Sequence, residues 1–281
     1  MYPPLIQNFL KTKVRVKMYR AFYQLTKQIN RKDIFADDLF KSENFKEAVS
    51  RLEFMKDKGG FTIVSGDCGV GKTTVLRYFV EKLNQRFYKI AYAPLATVSV
   101  LDFYRQIAFL LTGTTPFRKD QLFRLIQSTI MEMAVEKKTI PIIIFDDAQF
   151  LSTNNFFELQ LLSNFNFDSL SPALFILIAQ PHLINRLRKP AFDSFYQRIK
   201  IHIPIQPLSK NETSDFISHI MTNVSSSIDL FTQQAIELIY DESRGVIRKT
   251  TKVIEQALIY GAANNLKSID EQVIHKISLE L

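Results

Sequence analysis

Apolar residues in this chain follow two rhythms, and the change between them divides it. From about residue 61 to 205, short apolar runs alternate with stretches whose apolar positions recur every three or four residues. The runs 61–65, 139–145 and 173–179 are apolar on both faces and too short for buried helices. They predict strands of a parallel sheet covered on both sides, with 89–93 as a further strand. Ile199, Ile201, Ile203 and Ile205 alternate with Lys200, His202 and Pro204. That pattern places the last strand nearer a sheet edge. Between the strands, Val75, Leu76, Phe79, Val80 and Leu83 mark one helix. A second runs through residue 111, opened by the capping box of Ser99 and Asp102 and closed by Gly113. A third covers 120–136 and a fourth 156–165. Strand and helix in alternation predict an α/β fold with a three-layer parallel sheet.

After Pro207 the rhythm is helical only. Ser209 with Glu212 and Ser268 with Glu271 read as capping boxes, with helices over 231–241 and 246–263 between them. Three regions are expected: an N-terminal basic arm and helical region over 1–43, an α/β core over 44–206, and a helical domain over 207–281. In the first, Lys11, Lys13, Arg15 and Lys17 occupy every second position. An extended chain carries all four on one face, either as a solvated arm or as an arm that contacts phosphates or a partner.

Composition narrows the setting. With 281 residues, 46% of them apolar and 24 phenylalanines, the chain can bury a large core. No apolar run approaches the roughly 20 residues that span a bilayer, so no membrane partner is expected. The start, Met1-Tyr2-Pro3-Pro4, lacks the regions of a secretory signal. A single cysteine excludes an internal disulfide, and together these features predict a cytoplasmic protein. The net charge of +8 and pI near 9.4 suit a polyanionic partner such as nucleic acid.

Gly66-Asp67-Cys68-Gly69-Val70-Gly71-Lys72-Thr73 fits G-x-x-x-x-G-K-[ST] and joins a predicted strand to a predicted helix. That context makes it a phosphate-binding loop: the glycines let backbone N–H groups curl around phosphates at a helix N-terminus. Gly66 through Thr74 are therefore the expected nucleotide contacts, with Lys72 reaching the β- and γ-phosphates and Thr73 ligating Mg2+. Cys68 stands where the pattern leaves the residue open, so a tolerated small residue explains it, although the helix dipole there could lower a thiol's pKa. Further on, four apolar residues run into Asp146-Asp147, the Walker B pattern. Asp146 is expected to hold Mg2+ beside Thr73. Asp147 stands where a glutamate commonly polarises the attacking water, and is one methylene shorter. ATP or GTP is the implied ligand, and ATP with Mg2+ the expected pair.

These parts together resemble the AAA+ family. The resemblance implies an extra strand between the two motif strands and a helical lid. It makes Gln180, after the run 173–179, the polar sensor, and Arg198, just before the last strand, the arginine finger that reaches a neighbouring subunit. Arg186 and Arg188 are reserves for that role. Gly245-Val246-Ile247-Arg248 is similar to the second sensor motif and implies that Arg248 reads the γ-phosphate. A narrower resemblance covers most of the chain. The segments 18–25 and 39–42, Ile178-Ala179-Gln180-Pro181-His182-Leu183 and Pro207-Leu208-Ser209 look like stretches of the ExeA/TniB/TnsC-type ATPases, in that family's order. Ala179 for glycine, Asp147 for glutamate and an N-terminal extension are the departures.

What that resemblance implies is an ATP-dependent regulator of transposition. Its copies would assemble head to tail on duplex DNA, as a ring or helical filament, and recruit or stimulate a transposase. Its alternative is an ExeA-like ATPase serving a secretion or envelope complex. A small-molecule kinase is disfavoured, because no lid of arginines or acceptor pocket is visible. DNA contacts are expected from Lys11, Lys13, Arg15, Lys17, Thr97, Arg118 and Lys119.

Overall fold

The structure, a computed structural model, describes residues 19–29, 38–94, 99–224 and 230–278. The chain divides into two compact units: Glu43–Gln206, and a second made of Met1–Ser42 with Pro207–Leu281.

In the first unit, helix α1 (Glu43–Met55) leads into β1 (Gly60–Ser65), α2 (Lys72–Lys82) and β2 (Tyr88–Ala93). Helices α3 (Val100–Thr112) and α4 (Lys119–Met131) precede β3 (Ile140–Phe145). Then come α5 (Thr153–Leu162), β4 (Leu174–Ala179), the short α6 (His182–Leu187) and α7 (Asp193–Tyr196), and β5 (Ile199–Pro204). The five strands form one parallel sheet in the order β2-β3-β4-β1-β5. Strand β4, although it follows β3 in sequence, therefore lies between β1 and β3. As the alternating isoleucines predicted, β5 is an edge strand. Lys200 is an extra residue in its pairing, since Ile199 faces Phe61 and Ile201 faces Thr62.

Burial explains why these runs became strands. Ile142, Ile143, Ile144 and Phe145 have no solvent exposure, and each contributes about 1.5–3 kcal/mol by leaving water. On one face of the sheet Phe61 packs on Phe175 (ring centroids 5.0 Å apart) and Phe195 (4.9 Å), while Phe103 stacks on Phe145 at 5.6 Å. The cap on α3 forms as predicted: Ser99 accepts from the Asp102 N–H, and Gly113 ends the helix at φ 74°. The helix predicted over 120–136 is regular only to Met131; Glu132–Glu136 is wound wider, as a π-turn. That turn hands the Met133 carbonyl to the Thr139 N–H (2.8 Å) as the chain enters β3.

The second unit contains α8 (Lys210–Val224), α9 (Gln233–Ser243), α10 (Ile247–Ala263) and α11 (Glu271–Ser278). The Ser209/Glu212 capping box closes in both directions: the Ser209 N–H donates to Glu212 Oε2 at 3.0 Å, and the Glu212 N–H to Ser209 Oγ at 3.3 Å. The box predicted from Ser268 and Glu271 is not used. Asp270 caps α11 instead, accepting from the Val273 N–H at 3.1 Å. The cause is local: the Ile269 N–H donates to the Leu230 carbonyl (2.7 Å) and its carbonyl accepts from the Thr232 N–H (3.0 Å). That pairing holds residue 269 outside the helix.

Residues 19–29 do not stand apart from the C-terminal helices. Tyr19, Tyr23, Leu25 and Ile29 share one core with Ile217, Ile254 and Leu258. The Tyr23 hydroxyl donates to the Leu266 carbonyl at 2.8 Å, and Gly261 makes room for it, since a Cβ there would lie 2.3 Å from that oxygen. Within the region expected over 1–43, residues 19–29 thus pack as part of the helical unit. Among the described residues, no helix is long and apolar enough to cross a membrane.

Candidate nucleotide site

Register places the chemistry. Ser65 pairs with Ala179, and Phe145 with Leu177, so the C-terminal tips of β1, β4 and β3 end close together. The Gly66 N–H donates to the Ala179 carbonyl at 3.2 Å, and the Asp146 N–H to the Ala93 carbonyl at 3.2 Å. Gly66, Gln180 and Asp146 therefore leave the same end of the sheet, with Gln180 between the other two.

In the loop after β1, Gly69 (φ 89°) and Gly71 (φ 103°) adopt the left-handed conformation that only glycine takes without strain. A Cβ on Gly66 would lie 2.5 Å from the Ile205 carbonyl, so the loop packs too closely for any other residue. Val70 is buried beneath it, whereas Asp67 and Cys68 are exposed. Gly71 stands at the N-terminus of α2, and Lys72, Thr73 and Thr74 form its first turn.

The Lys72 ammonium curls back onto the loop, donating to the carbonyls of Gly66 (2.8 Å) and Asp67 (2.9 Å). Burial pushes its pKa down against the opposing pull of Cys68, Asp146, Asp147 and Asp67. A half-buried cation that donates to two loop carbonyls at a helix N-terminus suits the phosphates of a nucleotide. For a cation, the hydroxyl of Thr73 and the carboxylate of Asp146 are hard oxygen donors. Among the described residues, no group of three or more His, Cys, Asp or Glu could hold a metal ion.

The acids are held by residues that sequence reasoning missed. Tyr92, at the tip of β2, donates its hydroxyl to Asp146 Oδ2 at 2.7 Å. Burial, and then this hydrogen bond, push the phenol's pKa up. Asp146 Oδ1 accepts from the Asp147 N–H at 2.9 Å. Asp147 itself is left-handed (φ 52°), and its Oδ1 accepts from Gln149 Nε2 at 2.9 Å. Gln149 Oε1 in turn accepts from the Gln180 N–H at 3.2 Å. Tyr92 could be suspected only once β2 was known to lie beside β3, and Gln149 only from its position two residues after the second acid.

Arg198, Arg186, Arg118 and Lys119 have other partners within the first unit. Arg198 immediately precedes β5, which runs parallel to β1 with Ile199 beside Phe61. It is therefore at the opposite end of the sheet from the phosphate loop, a strand's length of roughly 17–20 Å away. There it forms an ion pair with Asp168. Arg186 is an internal tie: its guanidinium donates to the Leu151 carbonyl at 2.7 Å and lies 5.3 Å from the ring centroids of both Phe156 and Phe192. Arg248 is the second residue of α10, in the helical unit. The glycine of its motif is required by the backbone, because Gly245 (φ 72°) approaches the Leu208 carbonyl within 1.9 Å of a hypothetical Cβ. Arg118 pairs with Asp120 at 3.0 Å, and Lys119 pairs with Glu158. Lys11, Lys13, Arg15, Lys17 and Thr97 lie outside the described residues.

Comparison with known proteins agrees with this geometry. A protein-family model for the AAA domain matches residues 55–187. General secretion pathway protein A of Aeromonas hydrophila is 28% identical over 237 residues, covering 82% of this chain and 42% of that protein. The chain thus spans less than half the length of that curated relative. Among solved structures, the Aeropyrum pernix ORC2 protein in its ADPNP–ADP complexes matches with a TM-score of 0.67 at 15% identity, over 91% of this chain and 72% of that one. Drosophila ORC bound to DNA matches with a TM-score of 0.67 at 15% identity, over 94% and 65%. At such identities the structural likeness establishes the fold alone. Residues 55–187, which carry the phosphate loop on β1, the paired acids on β3 and the inserted β4, match the AAA domain family, and the α/β unit has the fold of a P-loop ATPase of that type.

Proposed function

We propose that the chain is an ATP-dependent assembly factor that binds duplex DNA and regulates or recruits a transposase. The observation that carries the assembly half is the position of Arg198, on the end of the sheet away from its own phosphate loop. An arginine placed there can serve a nucleotide only in another copy. Such a head-to-tail contact builds a ring or helical filament.

Bound Mg2+·ATP supplies the scissile phosphoanhydride and the charge that the site must neutralise. Lys72 leaves the Gly66 and Asp67 carbonyls to hold the phosphates. Thr73 and Asp146 would hold the metal, with Tyr92 fixing the Asp146 carboxylate. Asp147 accepts a hydrogen bond from the attacking water and orients it, and Gln180 marks the γ-phosphate position from the tip of β4. Arg198 from a second copy, released from Asp168, stabilises charge on the transferred phosphoryl, a contribution of about 10³–10⁵ in rate for such fingers. The family resemblance, rather than any distance, assigns Arg248 as the further sensor.

Support for DNA comes from the net charge of +8, and support for transposition from the order of the short segments shared with TniB/TnsC-type ATPases. A second reading, service to a secretion complex, is favoured by the likeness to General secretion pathway protein A. Affinity for duplex DNA measured against salt, with ATP and with ADP, separates the two. The DNA reading predicts ATP-dependent binding that weakens by orders of magnitude between about 50 and 200 mM salt. Weak binding that is flat in salt and indifferent to nucleotide favours the secretion reading.

A further inference from the structure

We propose that Gln149 is a positioning residue that couples the tip of β4 to Asp147, so that the carboxylate is aimed at water only when Gln180 is engaged. This rests on the reading of Asp147 as the residue that orients the attacking water.

Both ends of the Gln149 amide are in use. Nε2 donates to Asp147 Oδ1 (2.9 Å), and Oε1 accepts from the Gln180 N–H (3.2 Å). The orientation of the amide is not ambiguous, because an ionised carboxylate can only accept and a backbone N–H can only donate. The residue is 7% exposed, so water does not substitute easily for either partner. Its backbone is anchored separately: the Arg186 guanidinium donates to the Gln149 carbonyl at 3.3 Å and to the neighbouring Leu151 carbonyl at 2.7 Å. With the main chain tied down, the side chain is a short strut between two strand tips. At one end is the backbone of the candidate γ-phosphate sensor. At the other is a carboxylate on a residue with left-handed backbone (φ 52°), a conformation that aspartate tolerates better than most residues. With Oδ1 taken by Gln149, the proposal assigns Oδ2 of Asp147 to the water. A shift of Gln180 towards a phosphate therefore moves Asp147 through a single side chain.

The test compares Gln149→Met, Gln149→Glu, Asp147→Asn and the double variant Gln149→Met/Asp147→Asn in the full chain. Turnover, KM for ATP and Tm are measured for each. Gln149→Met is expected to lower kcat by about 10- to 100-fold, the scale of a misplaced catalytic group, with KM within twofold and Tm little changed. Gln149→Glu keeps an acceptor for the Gln180 N–H but loses the donor to Asp147, and should be at least as slow. Asp147→Asn should cost about 10²-fold or more, and the double variant should be no slower than Asp147→Asn alone. Normal turnover in both Gln149 variants, or losses that multiply in the double variant, overturns the coupling while leaving Asp147 in its role. A fall in kcat accompanied by a matching fall in Tm and a rise in KM assigns Gln149 to structure alone and also overturns it. Normal turnover in Asp147→Asn removes the coupling together with the reading beneath it.

Discussion

The two ends of the central sheet treat charge differently. At the C-terminal end, Lys72 is held by carbonyls with its ammonium disfavoured by burial, and Asp146 and Asp147 stand side by side. At the N-terminal end, Arg198 already has its counter-charge in Asp168. One end offers a cation and two carboxylates to a ligand; at the other, Arg198 is already paired in the isolated chain, and under the proposed function it would exchange Asp168 for a phosphate. A half-buried cation beside two carboxylates at a helix N-terminus marks a candidate binding site, whereas a surface ion pair contributes only about 0–1 kcal/mol and is readily exchanged.

Breaking the ligand end should have the largest effect. Wild-type protein at ATP concentrations of about 100 Kd should gain about 2.7 kcal/mol of stability, read as a rise in Tm. Lys72→Ala should lose both this gain and all turnover; an unchanged ATP-induced Tm shift in that variant would place the phosphates elsewhere. At the opposite end, Arg198→Ala should lower turnover by about 10³-fold yet keep the full ATP-induced shift, which equilibrium binding of a fluorescent ATP analogue can check. A smaller effect is expected from Tyr92→Phe. Without the hydroxyl on Asp146 Oδ2, a titration of turnover against Mg2+ should show half-activation at roughly tenfold higher metal, in line with the loss of other ligand-orienting hydrogen bonds. The smallest effect should come from Asp168→Ala. Stability should change by less than about 1 kcal/mol, while ATP-dependent assembly, followed by light scattering, should begin at a few-fold lower protein concentration. Assembly that instead requires more protein would show Asp168 to be part of the contact.

What could be read from the sequence follows the range of the forces involved. Strands β1, β3 and β4 were legible because each is a run buried on both faces, and the phosphate loop because its glycines and Lys72 are contiguous. The capping boxes at Ser99 and Ser209 are four-residue devices and formed as expected. Ser268 failed because a longer-range pairing of Ile269 with residues 230 and 232 decided where α11 begins. Tyr92 and Gln149 were invisible for a related reason: their partners are set by which strand lies beside which. Tyr19 and Tyr23 gave no sign of packing on α10, more than 230 residues away in sequence. Arg198 was legible as an arginine before a strand, but its pairing with Asp168 and its distance from the phosphate loop came only from the fold.

The central claim is that the two ends of the sheet, in different copies, make one working site. Mixing Lys72→Ala protein with Arg198→Ala protein tests it directly, since each variant lacks what the other retains. The account predicts that two nearly inactive proteins regain a substantial part of wild-type ATP hydrolysis when combined. A mixture no more active than its components, alongside wild-type activity in an equal mixture of unmodified protein, would contradict it.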